Sequence, residues 1–327
     1  MKAAYIEQTG PADSIRVGDL PQPEPQPGQV LVRVRAVAFN PIDLYIRSGG
    51  VAMPLPLPYV VGTDFAGTVV ALGVGATRYL VGDRVWGSNQ GMLGRQGAAS
   101  EYAAVDEDLA YPTPANQPDT EAAAQALVGI TAHLGLFKHG QLQGGETLYV
   151  PGGSGGVGSM VVQMAKAAGA RVATSAGGPE RVELCRTLGA DLALDYKTDD
   201  IPARLREFAP DGYDVWYETQ REPNLEVAVP LLRKYGRLVL IAGRTAKPVL
   251  PIGSLYTRDC SIRGFAMFNA TSAEQQAAAS DINRWTEAGK LKPLIGRTLP
   301  LAAVAEGQRI MEAALTGGAV KVVLTID

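Results

Sequence analysis

The chain has 327 residues, with 30 Lys and Arg against 33 Asp and Glu for a net charge of −3, and a mass of 34.4 kDa. That length suggests about two domains. A composition of 46% hydrophobic and 19% charged residues excludes wholesale disorder, and the slight negative charge argues against nucleic acid as the main partner.

In chain order, Met1–Ile6 reads as a strand, and Glu7 stands where a secretory leader would need an apolar run. Leu20–Gly28 carries prolines at 21, 23, 25 and 27, so it is an extended surface crossing and not a central strand. Val30–Ala38 alternates, with Val30, Val32, Val34 and Ala36 on one face and Arg33 and Arg35 on the other, as a half-buried antiparallel strand does. Gly67–Leu72 and Arg84–Trp86 continue the strand pattern. Near residue 120 the pattern changes to a long helix, Thr120–Lys138.

From there strands and helices alternate. The expected strands are Thr147–Val150, Arg171–Ser175, Leu192–Asp195, Val215–Glu218, Arg237–Ala242 and Ser261–Gly264. The expected helices between them are Val157–Ala168, Pro179–Leu188, Ile201–Phe208 and Leu225–Leu232. Strands separated by helices imply a parallel sheet with right-handed crossovers. An amphipathic helix, Ser272–Ala288, and a closing strand, Ala319–Ile326, complete the reading. The longest uncharged stretch, Thr147–Ala165, contains Pro151 and five glycines and does not read as a membrane span.

The strongest motif is Gly153-Ser154-Gly155-Gly156-Val157-Gly158, placed between an apolar strand and a helix. This G-x-G-x-x-G in a strand–turn–helix setting fits a dinucleotide. Side chains there would keep the backbone from a pyrophosphate, and a helix N-terminus offers free N–H groups and a positive dipole end. Glycine is abundant in the chain at large, 38 residues or about 12% against a background of about 7%, but only this loop gives it a ligand.

NAD sites place an acid about 20 residues on, for the ribose 2′-hydroxyl. Here that stretch is Ser175-Ala176-Gly177-Gly178, with no acid and with Arg181 just beyond, which favours NADPH. Arg181 is either a phosphate contact or a solvated helix residue, and Tyr196 offers a hydroxyl at the next strand end.

No metal site is expected. His133 and His139 lie six apart, which is not the spacing of one helix face, and no cysteine pair has ligand spacing. Cys185 and Cys260 are expected to be buried structural thiols, and two cysteines suit a reducing, cytoplasmic setting.

Several motifs occur in order. Val37-Ala38-Phe39-Asn40-Pro41-Ile42-Asp43 leads to Tyr45-Ile46-Arg47-Ser48-Gly49, followed by Val61-Gly62-Thr63-Asp64-Phe65-Ala66-Gly67 and Val81-Gly82-Asp83-Arg84-Val85. The glycine loop follows, then Lys292-Pro293-Leu294-Ile295 and Gly317-Gly318. Across essentially its whole length the chain thus resembles the medium-chain dehydrogenase/reductase superfamily. It looks most like the zinc-free, ζ-crystallin-like quinone oxidoreductase branch. Zinc members carry Cys near position 39 and His and Glu after the glycine at 62. Here stand Phe39 or Asn40, then Thr63 and Asp64.

The resemblance implies an α/β fold: a Rossmann doubly wound parallel sheet over residues 122–265, and a β-rich GroES-like catalytic domain from 1–121 and 266–327. It implies NADPH between the two and reduction of a quinone or activated enone, with Asn40 and Tyr45 orienting the nicotinamide or donating to the acceptor oxygen. The cofactor-binding set it implies is Ser154, Gly155, Gly156, Val157, Gly177, Arg181, Tyr196, Asn224, Ile241, Gly243, Arg244, Phe265, Met267 and Lys321. A homodimer or homotetramer, paired through the edge near Ser261–Phe265, is also implied. Rival readings are an alkenal, alkenone or enoyl-thioester reductase and a non-catalytic NADPH- or RNA-binding role. Val51 stands where relatives carry a proton-donating tyrosine, which weakens the enoyl-thioester reading. Thr219-Gln220-Arg221-Glu222 is more polar than relatives suggest, and Arg221 is either a phosphate contact or solvated.

Overall fold

The computed structural model describes residues 1–317 and 321–327. Gly318 of the last motif, and Ala319 and Val320 at the start of the expected closing strand, lie outside them. The chain divides into two compact units. One comprises Met1–Val128, Thr271–Glu287 and Lys292–Asp327; the other comprises Gly129–Ala270 and Ala288–Leu291.

The first unit is built on a mixed sheet. Its strands lie in the order Arg297–Pro300, Val322–Thr325, Gln29–Ala38, Asp64–Leu72, Arg84–Gly87 and Ala110–Pro112, and Tyr102–Asp106 also pairs with Gln29–Ala38. A second sheet joins Arg16–Asp19, Lys2–Ile6 and Tyr59–Val60. The alternation in Gln29–Ala38 is realised: Val30, Val32, Val34 and Ala36 are buried and Arg33 is exposed. The strand pairs antiparallel with three neighbours, Asp64–Leu72, Tyr102–Asp106 and Val322–Thr325.

Two helices of this unit are absent from the sequence reading. Pro41–Arg47 begins at an Asn-Pro pair that reads equally well as a turn, yet Pro at the first position and Asp43 at the third are helix-start signals. Val304–Gly317 is the other.

The second unit is a six-stranded parallel sheet in the order Leu192–Asp195, Arg171–Ala176, Thr147–Pro151, Tyr213–Glu218, Leu232–Leu240 and Ser261–Gly264. In chain order these are its third, second, first, fourth, fifth and sixth strands. The order reverses between Thr147–Pro151 and Tyr213–Glu218, the point where doubly wound sheets open a crevice beyond their strand ends. An aromatic cluster of Tyr149, Tyr213 and Trp216 lies in the core, with ring centroids 4.4–6.2 Å apart.

Three expectations need correction here. The helix expected over Thr120–Lys138 is α-helical only to His133, and Leu134–His139 widens into π-type turns. The Tyr217 hydroxyl donates to the Thr131 carbonyl at 2.8 Å, the acceptor that the Gly135 N–H would take in an α-helix. An inserted side chain of this kind forces the wider turn. The helix expected over Leu225–Leu232 is only Leu225–Ala228 plus a tight turn, because Pro230 has no N–H to continue it. The fifth strand begins at Leu232, five residues early, because a bulge with Tyr235 at φ +64° absorbs the polar stretch that looked like a loop.

Cys185 is buried as expected, whereas Cys260 is only half-buried, its thiol 3.2 Å from the Arg233 carbonyl.

Candidate functional site

In the parallel-sheet unit, the strand Thr147–Pro151 runs directly into the glycine loop and the helix Gly156–Ala167. The loop is pinned at its start: Gly152 and Gly153 N–H both donate to the Ser175 carbonyl, at 2.9 and 3.1 Å, and Gly155 N–H donates to Gly152. A Cβ on Gly153 would stand 2.2 Å from Thr174 Oγ1, and one on Gly158 2.1 Å from the Gly152 carbonyl oxygen. Only glycine therefore lets the loop fold back this tightly. Ser154–Val157 is left at the head of the helix, where the first N–H groups have no intrahelical acceptor and the dipole is positive. The cradle fits a pyrophosphate.

Beside it, the strand Arg171–Ala176 ends without an acid. Gly177 and Tyr196 are brought together: a Cβ on Gly177 would stand 2.4 Å from the Tyr196 hydroxyl oxygen. Tyr196 itself is 56% exposed. The carboxylate at the next strand end, Asp195, accepts from the Gly178 and Lys197 N–H groups at 3.0 Å each. Those bonds hold its carboxyl below the ordinary range, and its charge is tied to the backbone. Arg181 follows on the helix Pro179–Thr187.

The other expected cofactor residues are scattered. Gly243 adopts φ +88° and its absent side chain makes room for the Arg221 carbonyl. Ile241 is half-buried and Arg244 exposed. Asn224 caps the helix Leu225–Ala228, its side chain accepting from Val227 N–H at 3.2 Å. Phe265 stacks on His139 at 4.3 Å, and Met267 is buried.

In the mixed-sheet unit, Asn40 and Lys321, 281 positions apart, meet in an internal polar network. Lys321 Nζ donates to Asn40 Oδ1 at 2.7 Å and to Asp64 Oδ2 at 3.3 Å. Asn40 Nδ2 donates to Asp64 Oδ2 at 2.7 Å and to Thr63 Oγ1 at 3.0 Å. Thr63 Oγ1 donates to Asp43 Oδ2, Ser88 Oγ to Asp64 Oδ1, and the Asn40 N–H to Asp43 Oδ2. Asn40 is 1% exposed and Asp64 0%.

The expected role of Asn40 changes as a result. Both amide hydrogens are committed inside the protein, so its side chain has no donor left for a ring or an acceptor oxygen. Lys321, expected against the cofactor, likewise has internal partners. Tyr45, on the same helix as Asp43, is half-buried. The sequence reading missed Asp43, Ser88 and the role of Asp64; the third-position acid after Asn40-Pro41 was the available signal for Asp43.

Burial pushes the Asp43 carboxyl up to about 7, with the neighbouring Asp64 charge adding to the effect. Burial likewise raises Asp64 and lowers Lys321, and the attraction between those two opposes both shifts. Asp43 holds its proton more tightly folded than unfolded. The stability it contributes is therefore complete below pH about 4 and lost as pH climbs through about 7. Urea unfolding at pH 5 and pH 8 should show wild type losing roughly 2–3 kcal/mol more than Asp43→Asn over that interval. Parallel pH profiles for the two proteins would refute this.

The network does not fit a divalent metal. The residues at the zinc-ligand positions are an amide, a hydroxyl and one carboxylate, and an ammonium already sits on two of them. Among the described residues, no group of three or more His, Cys, Asp or Glu side chains could hold an ion.

Comparison with known proteins matches residues 26–115 to the alcohol dehydrogenase GroES-like domain and residues 156–283 to the zinc-binding dehydrogenase family. A human quinone oxidoreductase is 30% identical over 94% of this chain and 92% of its own length. An Arabidopsis thaliana NADPH-dependent alkenal/one oxidoreductase of the chloroplast is 32% identical over 95% of this chain and 76% of its own. A mycobacterial protein solved in complex with NADPH superposes with a TM-score of 0.86 at 29% identity, covering all of both chains.

Proposed function

The chain belongs to the ζ-crystallin-like quinone oxidoreductase branch of the medium-chain dehydrogenase/reductase superfamily, an oxidoreductase with a nicotinamide cofactor, and from that membership we propose that it is a zinc-independent, NADPH-dependent reductase of quinones or activated enones. The observation that carries the reading is the pairing of a tight glycine cradle with a neighbouring strand end that has no free acid.

Ser154–Val157 would hold the pyrophosphate, and Gly177, Arg181 and Tyr196 the adenosine 2′-phosphate. When bound, the reduced nicotinamide supplies a hydride from its C4. The chain's own residues bind and orient. Tyr45 is assigned the hydrogen bond to the acceptor oxygen, since its phenol is a donor on the helix that begins at Asn40 and the Asn40 amide is committed. Asn40 and Lys321 act behind it by fixing that helix start. The proton that completes the hydroquinone or ketone comes from solvent, because Val51 has none to give. Zinc independence rests on the ammonium at the ligand positions. Activated enones remain with quinones in the substrate class because the plant relative acts on alkenals and alkenones. The edge position of Ser261–Gly264 in its sheet suits a dimer.

The test is NADPH oxidation against a panel of quinones and enones. Turnover with at least one class is expected, undiminished by chelators. NADPH should be preferred to NADH by roughly 10–100-fold, the worth of one or two charge-assisted bonds to the 2′-phosphate. Tight NADPH binding without turnover of any acceptor would overturn the enzymatic reading.

A further inference from the structure

The polar segment Thr219–Glu222 follows the strand Tyr213–Glu218, beside the reversal in strand order. Glu218 closes that strand and is 3% exposed. Its carboxylate accepts from Trp216 Nε1 at 3.1 Å through one oxygen and from Gln220 N–H at 2.7 Å through the other. Thr219 Oγ1 donates to the Pro151 carbonyl at 2.6 Å, the last residue before the glycine loop.

The segment then lies against two glycines, Gly152 at the start of the glycine loop and Gly243 of the expected cofactor set. A Cβ on Gly152 would stand 3.1 Å from Gln220 Nε2 and 3.2 Å from Thr219 Oγ1. One on Gly243 would stand 3.1 Å from the Arg221 carbonyl oxygen and 3.3 Å from Pro223 Cδ. Both glycines have positive φ, +74° and +88°. The segment therefore fills the space between the head of the phosphate loop and the turn after the next strand.

A buried carboxylate is an expensive way to end a strand, since an apolar side chain would pack there without desolvating a charge. What it supplies is two acceptor oxygens, one holding the Trp216 indole and the other fixing the Gln220 N–H of the turn. We propose that Glu218, through the turn Thr219–Gln220, is a positioning residue for the cofactor: it sets where Pro151–Gly152 lies and so where the loop presents its N–H groups to the pyrophosphate. This rests on the nicotinamide reading above. It explains the polar character of Thr219–Glu222, which that reading left unused, and it gives the Arg221 backbone a part, since its carbonyl packs against Gly243.

The experiment compares two ligands. NADPH needs the phosphate loop; adenosine 2′-monophosphate needs only the Gly177–Tyr196 pocket, at other strand ends. Glu218→Gln keeps the shape but puts an amide donor against N–H donors. It should weaken NADPH roughly 10–100-fold while 2′-AMP stays within about twofold. Thr219→Val, a milder change that loses one bond to Pro151, should weaken NADPH roughly fivefold, and Thr219→Ser should restore it. Should Glu218→Gln fail to fold, the Thr219 pair carries the same split. Equal loss of both ligands in the folded variants, or no loss of NADPH, overturns the proposal. Wild-type protein that binds neither ligand overturns the nicotinamide reading itself, and this proposal with it.

Discussion

Gly158→Val should remove measurable NADPH binding. A Cβ there runs into the Gly152–Gly153 peptide: the Gly152 carbonyl oxygen at 2.1 Å, its carbon at 2.8 Å and Gly153 Cα at 3.1 Å. No rotamer relieves a clash with main chain, so either the helix Gly156–Ala167 backs away or the loop opens. Opening is blocked by the bonds from Gly152 and Gly153 to Ser175 and by Thr174, whose hydroxyl is held on the Val150 carbonyl at 2.6 Å. The helix start therefore moves, and its N–H groups no longer converge on one point. Several charge-assisted bonds are lost together, so the affinity should fall at least roughly 100-fold. Quenching of protein fluorescence by NADPH measures it, with thermal unfolding run alongside to show that the variant is folded. A dissociation constant within a few-fold of wild type would mean that the cradle does not hold the cofactor.

That loop was legible in the sequence because its information is local. A strand, the four loop residues 152–155 and a helix start are contiguous, and each obeys a rule about its own neighbours. The same holds for Leu192–Asp195, Ile201–Phe208 and Ser261–Gly264, whose bounds the sequence reading places without error. The reading failed where a distant side chain intervenes. Tyr217 reaches the carbonyl of Thr131, 86 positions away, and changes the helix type. Asn40 reads as a turn-starter with a free amide until Lys321, Thr63 and Asp64 are seen to saturate it. No periodicity encodes a contact across 281 residues. The motif around Asp64 was visible, but as a departure from zinc ligands; that the departures themselves form a closed network is a fact of the fold. Gly177 and Tyr196 lie between these cases: two strand ends of one βα rhythm, close in sequence and brought within contact by neighbouring parallel strands.

Lys321→Met should cost more stability than the other substitutions considered. Among the described residues, the ammonium is the only positive charge bonded to the Asn40–Asp64 pair, and its side chain is 6% exposed against 0% for Asp64. Methionine fills a similar volume but leaves Asp64 as an uncompensated buried carboxylate and Asn40 Oδ1 without its donor. Breaking a buried pair from one side typically costs about 3–5 kcal/mol, and urea unfolding should show a loss in that range at neutral pH. The cause can be separated from simple packing by a second change. Asp64→Asn removes the stranded charge, so the double variant should recover about half of the loss, an interaction that only coupled neighbours show. Recovery is partial because Ser88 Oγ and the Leu127 N–H still need acceptors that one amide oxygen cannot supply alone. Acidification makes the same point without a second mutation: Asp64 takes up a proton more readily once the ammonium is gone, so the single variant should regain stability relative to wild type as pH falls. A loss under about 1 kcal/mol, or a double variant as unstable as the sum of the singles, would show that the ammonium is not what balances this network.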